Sequence, residues 1–203
     1  MTPSLPAALR AWSPVGIAAR LLACGLLVVG LTETGRPDPA ALAPLLKTLD
    51  LRAYTARTAP PKFSGSTLDA RPLSITEYRG SVIILNFWAS WCLECRPEMP
   101  VLERLQREFS SRGLAVIGVN TRETKEAARR YAKELGLTFP LVLDRDGKIN
   151  ALYGVVGLPT TFVIGRDGRA IGFAVGARDW ESASARALIA ALLAEPAPPL
   201  AAQ

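Results

Sequence analysis

The sequence contains no histidine among its 203 residues, and this absence excludes several kinds of active site. A catalytic triad with histidine as its base cannot form, and neither can a metal centre or haem site that depends on an imidazole ligand. No patch of basic residues is interleaved with aromatic ones, so we expect no binding to nucleic acid. The net charge of +6 is spread along the chain, with +3 in residues 1–60 and +3 in residues 61–203.

Cysteine is also scarce, since the chain has only Cys24, Cys92 and Cys95. Cys24 lies in an apolar N-terminal run, where it reads most simply as a small apolar residue. One pair therefore remains for chemistry. A closed zinc site needs four ligands, and this pair supplies two. We expect no metal and no cofactor.

The N-terminal segment, residues 1–35, is predicted to be a signal or a membrane anchor. Pro14 to Leu31 is nearly all apolar but is interrupted by Arg20, and its uninterrupted part is shorter than the roughly 20 residues of a membrane span. Positive residues precede the run, so the rest of the chain should be exported. An uncleaved anchor, a cleaved signal and a lipoprotein signal ending at Cys24 all remain open.

Composition divides the remaining chain into three parts. Residues 36–59 are rich in proline and alanine and are predicted to be a linker, within which Ala40 to Leu51 could form a short helix. Residues 60–195 are predicted to fold as one domain. Residues 196–203 are predicted to be a disordered tail.

Hydrophobic patterning within the domain predicts alternating strands and helices, followed by a hairpin and a closing helix. Val82 to Trp88 is apolar on both faces, as expected of a strand in a sheet covered by helices. These elements predict a three-layer α/β sandwich with a central mixed sheet flanked by helices. The other predicted strands lie near Phe63 and at 73–75, 114–119, 139–143, 161–164 and 170–175, and the helices at 96–111, 123–135, 149–153 and 180–193.

Cys92 and Cys95 stand where the strand ending at Trp88 gives way to a helix. Residues three apart at a helix start can approach within the roughly 4.4–6.8 Å between Cα atoms that a disulfide requires. The first cysteine also faces unpaired N–H groups and the positive end of the helix dipole, which lower a thiol pKa. We interpret the pair as a reversible dithiol/disulfide centre; a structural disulfide or a zinc site are the alternatives.

The sequence resembles the thioredoxin superfamily, and within it the TlpA/ResA-type exported thiol–disulfide oxidoreductases. The matching segments are 86–92 (Asn-Phe-Trp-Ala-Ser-Trp-Cys), 95–100 (Cys-Arg-Pro-Glu-Met-Pro) and 157–162 (Gly-Leu-Pro-Thr-Thr-Phe). The resemblance covers about residues 60–193 and implies a thioredoxin-like fold. A lone CxxC is a weak signal, but the combination at this spacing is specific.

The resemblance implies a role for each matching residue near the cysteines. Cys92 would attack the substrate disulfide, and Cys95 would resolve the mixed disulfide. Glu98 matches the acidic residue that this group places nearby, and it would exchange a proton with Cys95. Thioredoxin itself carries a buried aspartate where this chain has Asn86, which makes Glu98 the candidate replacement. A solvent-facing helix carboxylate is the alternative for Glu98.

Substrate-binding roles are implied for Trp91, Leu158, Pro159 and Thr160. Pro159 matches the family's cis-proline, which lies beside the disulfide while the preceding residue offers backbone groups to an extended peptide. Trp91 would form part of the substrate-facing surface.

The two residues between the cysteines, Leu93 and Glu94, are expected to tune the redox potential. Glu94 departs from the family, which usually has proline there. A carboxylate roughly 6 Å from a thiolate costs about 0.7 kcal/mol in water and about 3 kcal/mol at an effective dielectric of 20. The carboxylate should therefore lower the potential, by roughly 15–60 mV, and favour a reductant.

The function expected from the resemblance is an exported, membrane-anchored reductase of disulfides in client proteins, which receives electrons from a membrane-embedded thiol donor. Clients in the family include apocytochromes awaiting haem and copper-site assembly factors. A thiol peroxidase is the first alternative, but Leu85 and Ala89 stand where such enzymes have Pro and Thr or Ser. A redox-inert binding module on the same scaffold is the second.

Overall fold

The computed structural model describes residues 39–54 and 58–197. The predicted signal or anchor segment 1–35 and most of the predicted tail lie outside these residues. None of the described helices combines the length and hydropathy needed to cross a bilayer. Over the described residues the chain forms α1 (Pro39–Thr48), β1 (Arg52–Ala53), β2 (Ser64–Ser66), β3 (Pro72–Ser74), β4 (Val82–Trp88), α2 (Cys95–Phe109), β5 (Leu114–Thr121), α3 (Lys125–Glu134), β6 (Leu141–Asp144), α4 (Lys148–Leu152), β7 (Thr160–Ile164), β8 (Ala170–Val175) and α5 (Ala183–Leu193).

Six strands form the central sheet in the order β1-β8-β7-β4-β5-β6. Strands β4, β5 and β6 are parallel, whereas β7 runs antiparallel to β4, and β8 and β1 continue the antiparallel part. The parallel strands require crossover connections, which α2 and α3 provide. The predicted mixed sheet flanked by helices is confirmed.

The central strand β4 has the predicted bounds, and all seven of its residues are buried. Alternate side chains point to opposite faces of a strand. Ile84 and Trp88 accordingly belong to one hydrophobic cluster, and Ile83, Leu85 and Phe87 belong to the other. The first cluster also takes buried residues from α1, α2, α3 and α5, and the second takes them from α4 and from the chain around the β2–β3 hairpin. Three layers result.

The structure corrects the predicted linker, because residues 39–53 pack onto the domain. Helix α1 lies against α5, and Arg52 of β1 pairs with Phe173 of β8. The short helix expected within Ala40 to Leu51 is present as α1, and its apolar residues, spaced by three, four and seven positions, give it a face that packs on the domain. The buried or partly buried members of this pattern are Leu42, Leu45, Leu46 and Leu49. We call residues 39–53 the N-terminal arm.

The closing helix begins later than predicted, at Ala183 instead of Trp180. The hydroxyl of Ser182 accepts a hydrogen bond from the Ala185 N–H and caps the helix start. Trp180 is fully buried in the preceding loop.

Candidate active site

Cys92 and Cys95 form a disulfide at the junction between β4 and α2, with their Cα atoms 5.3 Å apart. Cys95 is the first residue of α2, and Cys92 lies in the turn that precedes it. Cys95 is fully buried, whereas Cys92 is 6% exposed. Cys92 is therefore the cysteine nearer to solvent, although both residues are largely covered.

The Cys92 sulfur receives a hydrogen bond from the first turn of α2. The Cys95 N–H donates to Cys92 Sγ over 3.1 Å. The first N–H groups of a helix lack partners within the helix, and a thiolate at this position accepts one of them. The contact and the helix dipole both favour the negative form of the Cys92 sulfur.

A half-buried carboxylate holds the turn that leads to Cys92. Glu123 Oε2 accepts the Ser90 N–H at 2.7 Å, and its Oε1 accepts the Ser90 hydroxyl at 2.5 Å. The side chain of Asn120 donates to the same carboxylate at 2.6 Å. The sequence did not single out Glu123, because it falls at the start of the helix predicted at 123–135, where a charged residue is most simply part of the solvent-exposed face. The signal that could have found it is its position just after the end of β5, because the ends of the parallel strands β4 and β5 lie side by side.

Glu98 is buried one turn beyond Cys95, with 3% of its surface exposed. Its Oε1 accepts the indole N–H of Trp180 at 2.7 Å and the backbone N–H of Arg178 at 3.1 Å. Its Oε2 accepts the Asn86 amide at 2.9 Å. Burial raises the pKa of the Glu98 carboxyl, although the hydrogen bonds and the positive charge of Arg178 act in the opposite direction. The alternative of a solvent-facing carboxylate is wrong.

The amide of Asn86 connects Glu98 to the sheet. Its Nδ2 donates to Glu98 and also to the Thr161 hydroxyl at 2.8 Å. Its Oδ1 is buried and has no hydrogen-bond partner among the described residues. The network therefore contains one free acceptor next to a buried acid.

The residues expected to contact a substrate lie at the same end of the sheet. Thr160 pairs with Phe87, which brings the Leu158–Pro159 bond next to the end of β4. This bond is cis. Leu158 packs against the cluster that contains both cysteines, and the buried Thr160 hydroxyl donates to the Gly157 carbonyl.

Large apolar side chains are exposed around this end of the molecule. Trp91 is 64% exposed and Leu93 is 87% exposed, one on each side of Cys92. Glu94 is exposed as well. Val156, three residues before Pro159, is 89% exposed and was not singled out from the sequence. The described residues contain no cluster of three or more His, Cys, Asp or Glu that could hold a metal ion.

Comparisons with known proteins agree with this geometry. The sequence model of the AhpC/TSA family matches residues 56–170. The thiol-disulfide oxidoreductase ResA of Geobacillus thermodenitrificans is 38% identical over 134 residues, which are 63% of this chain and 77% of that protein. The thioredoxin-like protein YneN of Bacillus subtilis is 40% identical over 111 residues, which are 53% of this chain and 64% of that protein.

Solved structures show the same fold. A putative thiol:disulfide interchange protein DsbE from Chlorobium tepidum superposes with a TM-score of 0.62 at 30% identity, covering 66% of this chain and 95% of that one. A secreted disulfide oxidoreductase of Mycobacterium tuberculosis superposes with a TM-score of 0.57 at 27% identity, covering 64% of this chain and 96% of that one. The chain belongs to the AhpC/TSA family of thioredoxin-like proteins and, within it, to the ResA-type thiol–disulfide oxidoreductases.

Proposed function

We propose that the protein reduces disulfides in client proteins on the outer side of the cytoplasmic membrane. The observation that carries this proposal is the Cys92–Cys95 disulfide at the start of α2, with the Cys92 sulfur nearer the surface and hydrogen-bonded to the Cys95 N–H. A thiolate in this position is stabilised by the helix start, and Cys92 is the cysteine of the pair that lies nearer to solvent.

The reaction starts from the reduced pair. The Cys92 thiolate attacks one sulfur of the client disulfide, forming a mixed disulfide and releasing the other client sulfur as a thiolate that takes up a proton. The Cys95 thiolate then attacks Cys92, which restores the enzyme disulfide and releases the second client thiol. Two electrons pass from enzyme to client, and the enzyme dithiol becomes a disulfide. A membrane-embedded thiol donor would return two electrons to it.

Glu98 is proposed to exchange the proton of Cys95. The two residues are three apart on α2 and therefore lie on the same helix face. Cys95 is fully buried, so its thiol has no direct access to water as an acceptor. A buried carboxyl with a raised pKa holds a proton more readily than an exposed one and can release it again.

Asn86 can serve both protonation states of this acid. Its Nδ2 donates to the charged carboxylate. When Glu98 is protonated, rotation of the Asn86 amide would offer Oδ1, now without a partner, as the acceptor for the new proton. The amide can therefore stabilise either form without a rearrangement of the backbone.

The exposed apolar side chains are proposed to bind the polypeptide on either side of the client disulfide. Trp91 and Val156 offer exposed apolar surface, Leu158 packs against the cluster that contains both cysteines, and the Thr160 hydroxyl donates to Gly157 in the turn that holds Pro159. Leu93 and Glu94 are proposed to adjust the potential from the same side. Apocytochromes awaiting haem are the client class that we would test first, in keeping with the DsbE-type neighbour.

A trapping experiment tests the proposal. Cys95→Ser removes the resolving sulfur, so the full chain should accumulate covalently linked clients that dithiothreitol releases. Cys92→Ser is the control and should trap none. Equal trapping by the two variants, or an oxidised protein that never accepts electrons from a dithiol, would contradict the proposal and favour a redox-inert binding module.

A peroxide assay with the same purified chain addresses the peroxidase alternative. Leu85 and Ala89 are fully buried and carry no hydroxyl, so no group at these positions can help activate a peroxide. We expect insulin reduction without peroxide consumption.

A further inference from the structure

Arg178, in the loop between β8 and α5, joins this loop to the N-terminal arm. Its side chain is only 18% exposed. It donates from Nε to the Leu49 carbonyl at 2.9 Å, and from Nη2 to the carbonyl and the carboxylate of Asp50 at 3.2 and 2.7 Å. Its Nη1 donates back to the carbonyls of Gly176 and Ala177 at 3.2 and 2.9 Å. One side chain therefore fastens two segments that are far apart in sequence.

The same loop holds Glu98. The backbone N–H of Arg178 and the indole of Trp180 both donate to Glu98 Oε1, and they make two of the three hydrogen bonds described for this carboxylate. The position of Glu98 therefore depends on a loop whose own position depends on the arm.

We propose that Arg178 is a positioning residue of the thiol–disulfide reaction, whose guanidinium fixes the loop 176–180 to the arm so that this loop presents Glu98 to Cys95. The inference rests on the proton-exchange role proposed above for Glu98. It adds a residue outside the CxxC and cis-proline segments, and it gives the arm a part in the chemistry.

The charges around Glu98 support this assignment. Helix α2 contributes Cys95, and the turn before it carries Cys92 and the exposed Glu94, while β4 and β7 present the neutral Asn86 and Thr161. The loop carries Arg178 and the exposed Asp179. Among the described residues, Arg178 is the one charged side chain with an electrostatic effect on Glu98, and it favours the ionised carboxylate.

One carboxylate, that of Asp50, is paired with the Arg178 guanidinium. Asp50 is 89% exposed and forms an ion pair with it. Two charged groups flank Gly176. If this residue had a Cβ, that atom would lie 3.5 Å from Arg178 Nη1 and 3.8 Å from Glu94 Oε2. Gly176 has φ +88°, a conformation that favours glycine, and a side chain here would contact both groups.

The test measures the resolution step in the full chain. A fluorescent peptide is coupled to Cys92 as a mixed disulfide, and its release by Cys95 is followed in single turnover from acidic to alkaline pH. In a plot of the release rate against pH, Glu98→Gln should abolish the limb that reflects ionisation of the Glu98 carboxyl. Arg178→Met should shift that limb to higher pH and slow release several-fold at neutral pH, because the ionised carboxylate loses its positive neighbour.

Three further variants sharpen the result. Arg178→Lys retains the charge but cannot bridge all the carbonyls, so its limb should shift less than that of Arg178→Met. Asp50→Asn frees the guanidinium from its counter-charge and should shift the limb slightly in the opposite direction, to lower pH. Arg104→Met is the matched control: it removes an exposed bond to Glu181 near the same loop and should leave the profile unchanged.

The outcomes are distinguishable. If Glu98→Gln alters the profile and Arg178→Met does not, the inference is overturned while the proposed function stands. If Glu98→Gln has the wild-type profile, the proton role of Glu98 fails and the inference fails with it. Faster amide hydrogen exchange in the arm without any pH shift would show a purely structural Arg178 and would also overturn the inference. If Arg178→Met does not fold, the other two variants decide. A shift to higher pH in Arg178→Lys together with a shift to lower pH in Asp50→Asn supports the inference, and the absence of both shifts overturns it.

Discussion

Glu94 stands directly before the buried cysteine of the pair, at the N-cap of α2, and its side chain makes no capping hydrogen bond there. Because the carboxylate is exposed, solvent screens its repulsion of the Cys92 thiolate. The electrostatic cost should therefore lie near the value for water, about 0.7 kcal/mol at roughly 6 Å. The shift in redox potential expected from the sequence, roughly 15–60 mV, is therefore narrowed to its lower end.

Glu94→Pro should raise the reduction potential by about 15 mV, since removing the carboxylate stabilises the reduced thiolate form. A redox titration against glutathione measures the change. Glu94→Gln is the control for the proline ring, because it removes the charge and keeps the chain geometry. An unchanged or lower potential in both variants would eliminate the electrostatic argument.

At the scale of elements, local signals predicted β4, the β7–β8 hairpin and the CxxC helix start well. The apolar run of β4 and the Gly165–Gly168 turn are read from neighbouring residues alone. The support of Ser90 by Glu123 could not be read this way, because it joins residues 33 positions apart. The same holds for the loop that binds Glu98. Trp180 was assigned to the closing helix from the sequence, and its hydrogen bond to Glu98 of α2 is seen only in the structure.

Helix α2 is tied to the segment before β6 by a second buried carboxylate, Glu103. It accepts the Thr138 N–H and hydroxyl and the Arg107 guanidinium, each at 2.7 Å. Burial alone would raise the pKa of Glu103, but these hydrogen bonds and the Arg107 charge outweigh it and lower the pKa. A lowered pKa means that the carboxylate stabilises the folded state above its unfolded pKa of about 4.3.

Glu103→Gln should therefore lower the free energy of unfolding at neutral pH, by roughly 1–3 kcal/mol. The difference from wild type should shrink as the pH falls through the folded-state pKa of Glu103, because the wild-type carboxylate is then protonated too. Urea unfolding at several pH values measures both. Glu108→Gln, which breaks an exposed pair with Arg186, is the control and should cost less than 1 kcal/mol. A difference that is constant with pH would refute the charge-based account.

At the scale of the whole molecule, the arm belongs to the core. Leu42 and Leu46 are each 5% exposed and lie in the same cluster as Cys92 and Cys95. A flexible tether between a leader and a domain would leave such side chains in water. The arm instead helps to cover the α5 side of the sheet.

Leu46→Ala should destabilise the protein by roughly 2–5 kcal/mol, the usual cost of removing a buried leucine side chain. Denaturant unfolding in the oxidised state provides the measurement. Lys47→Ala, at an exposed position of the same helix, serves as the comparison and should change little. If both variants unfold at the wild-type midpoint, the arm does not contribute to the cooperative unit.

The pairing of β1 with β8 also has a practical consequence for producing the protein. A shortened chain that starts at residue 60 would lack β1, which among the described strands is the one that pairs with the outer edge of β8. The N–H and C=O groups along that edge would then be unpaired. Bare sheet edges recruit other strands, so such a fragment would be prone to aggregate. Expression of the folded domain should begin ahead of residue 39.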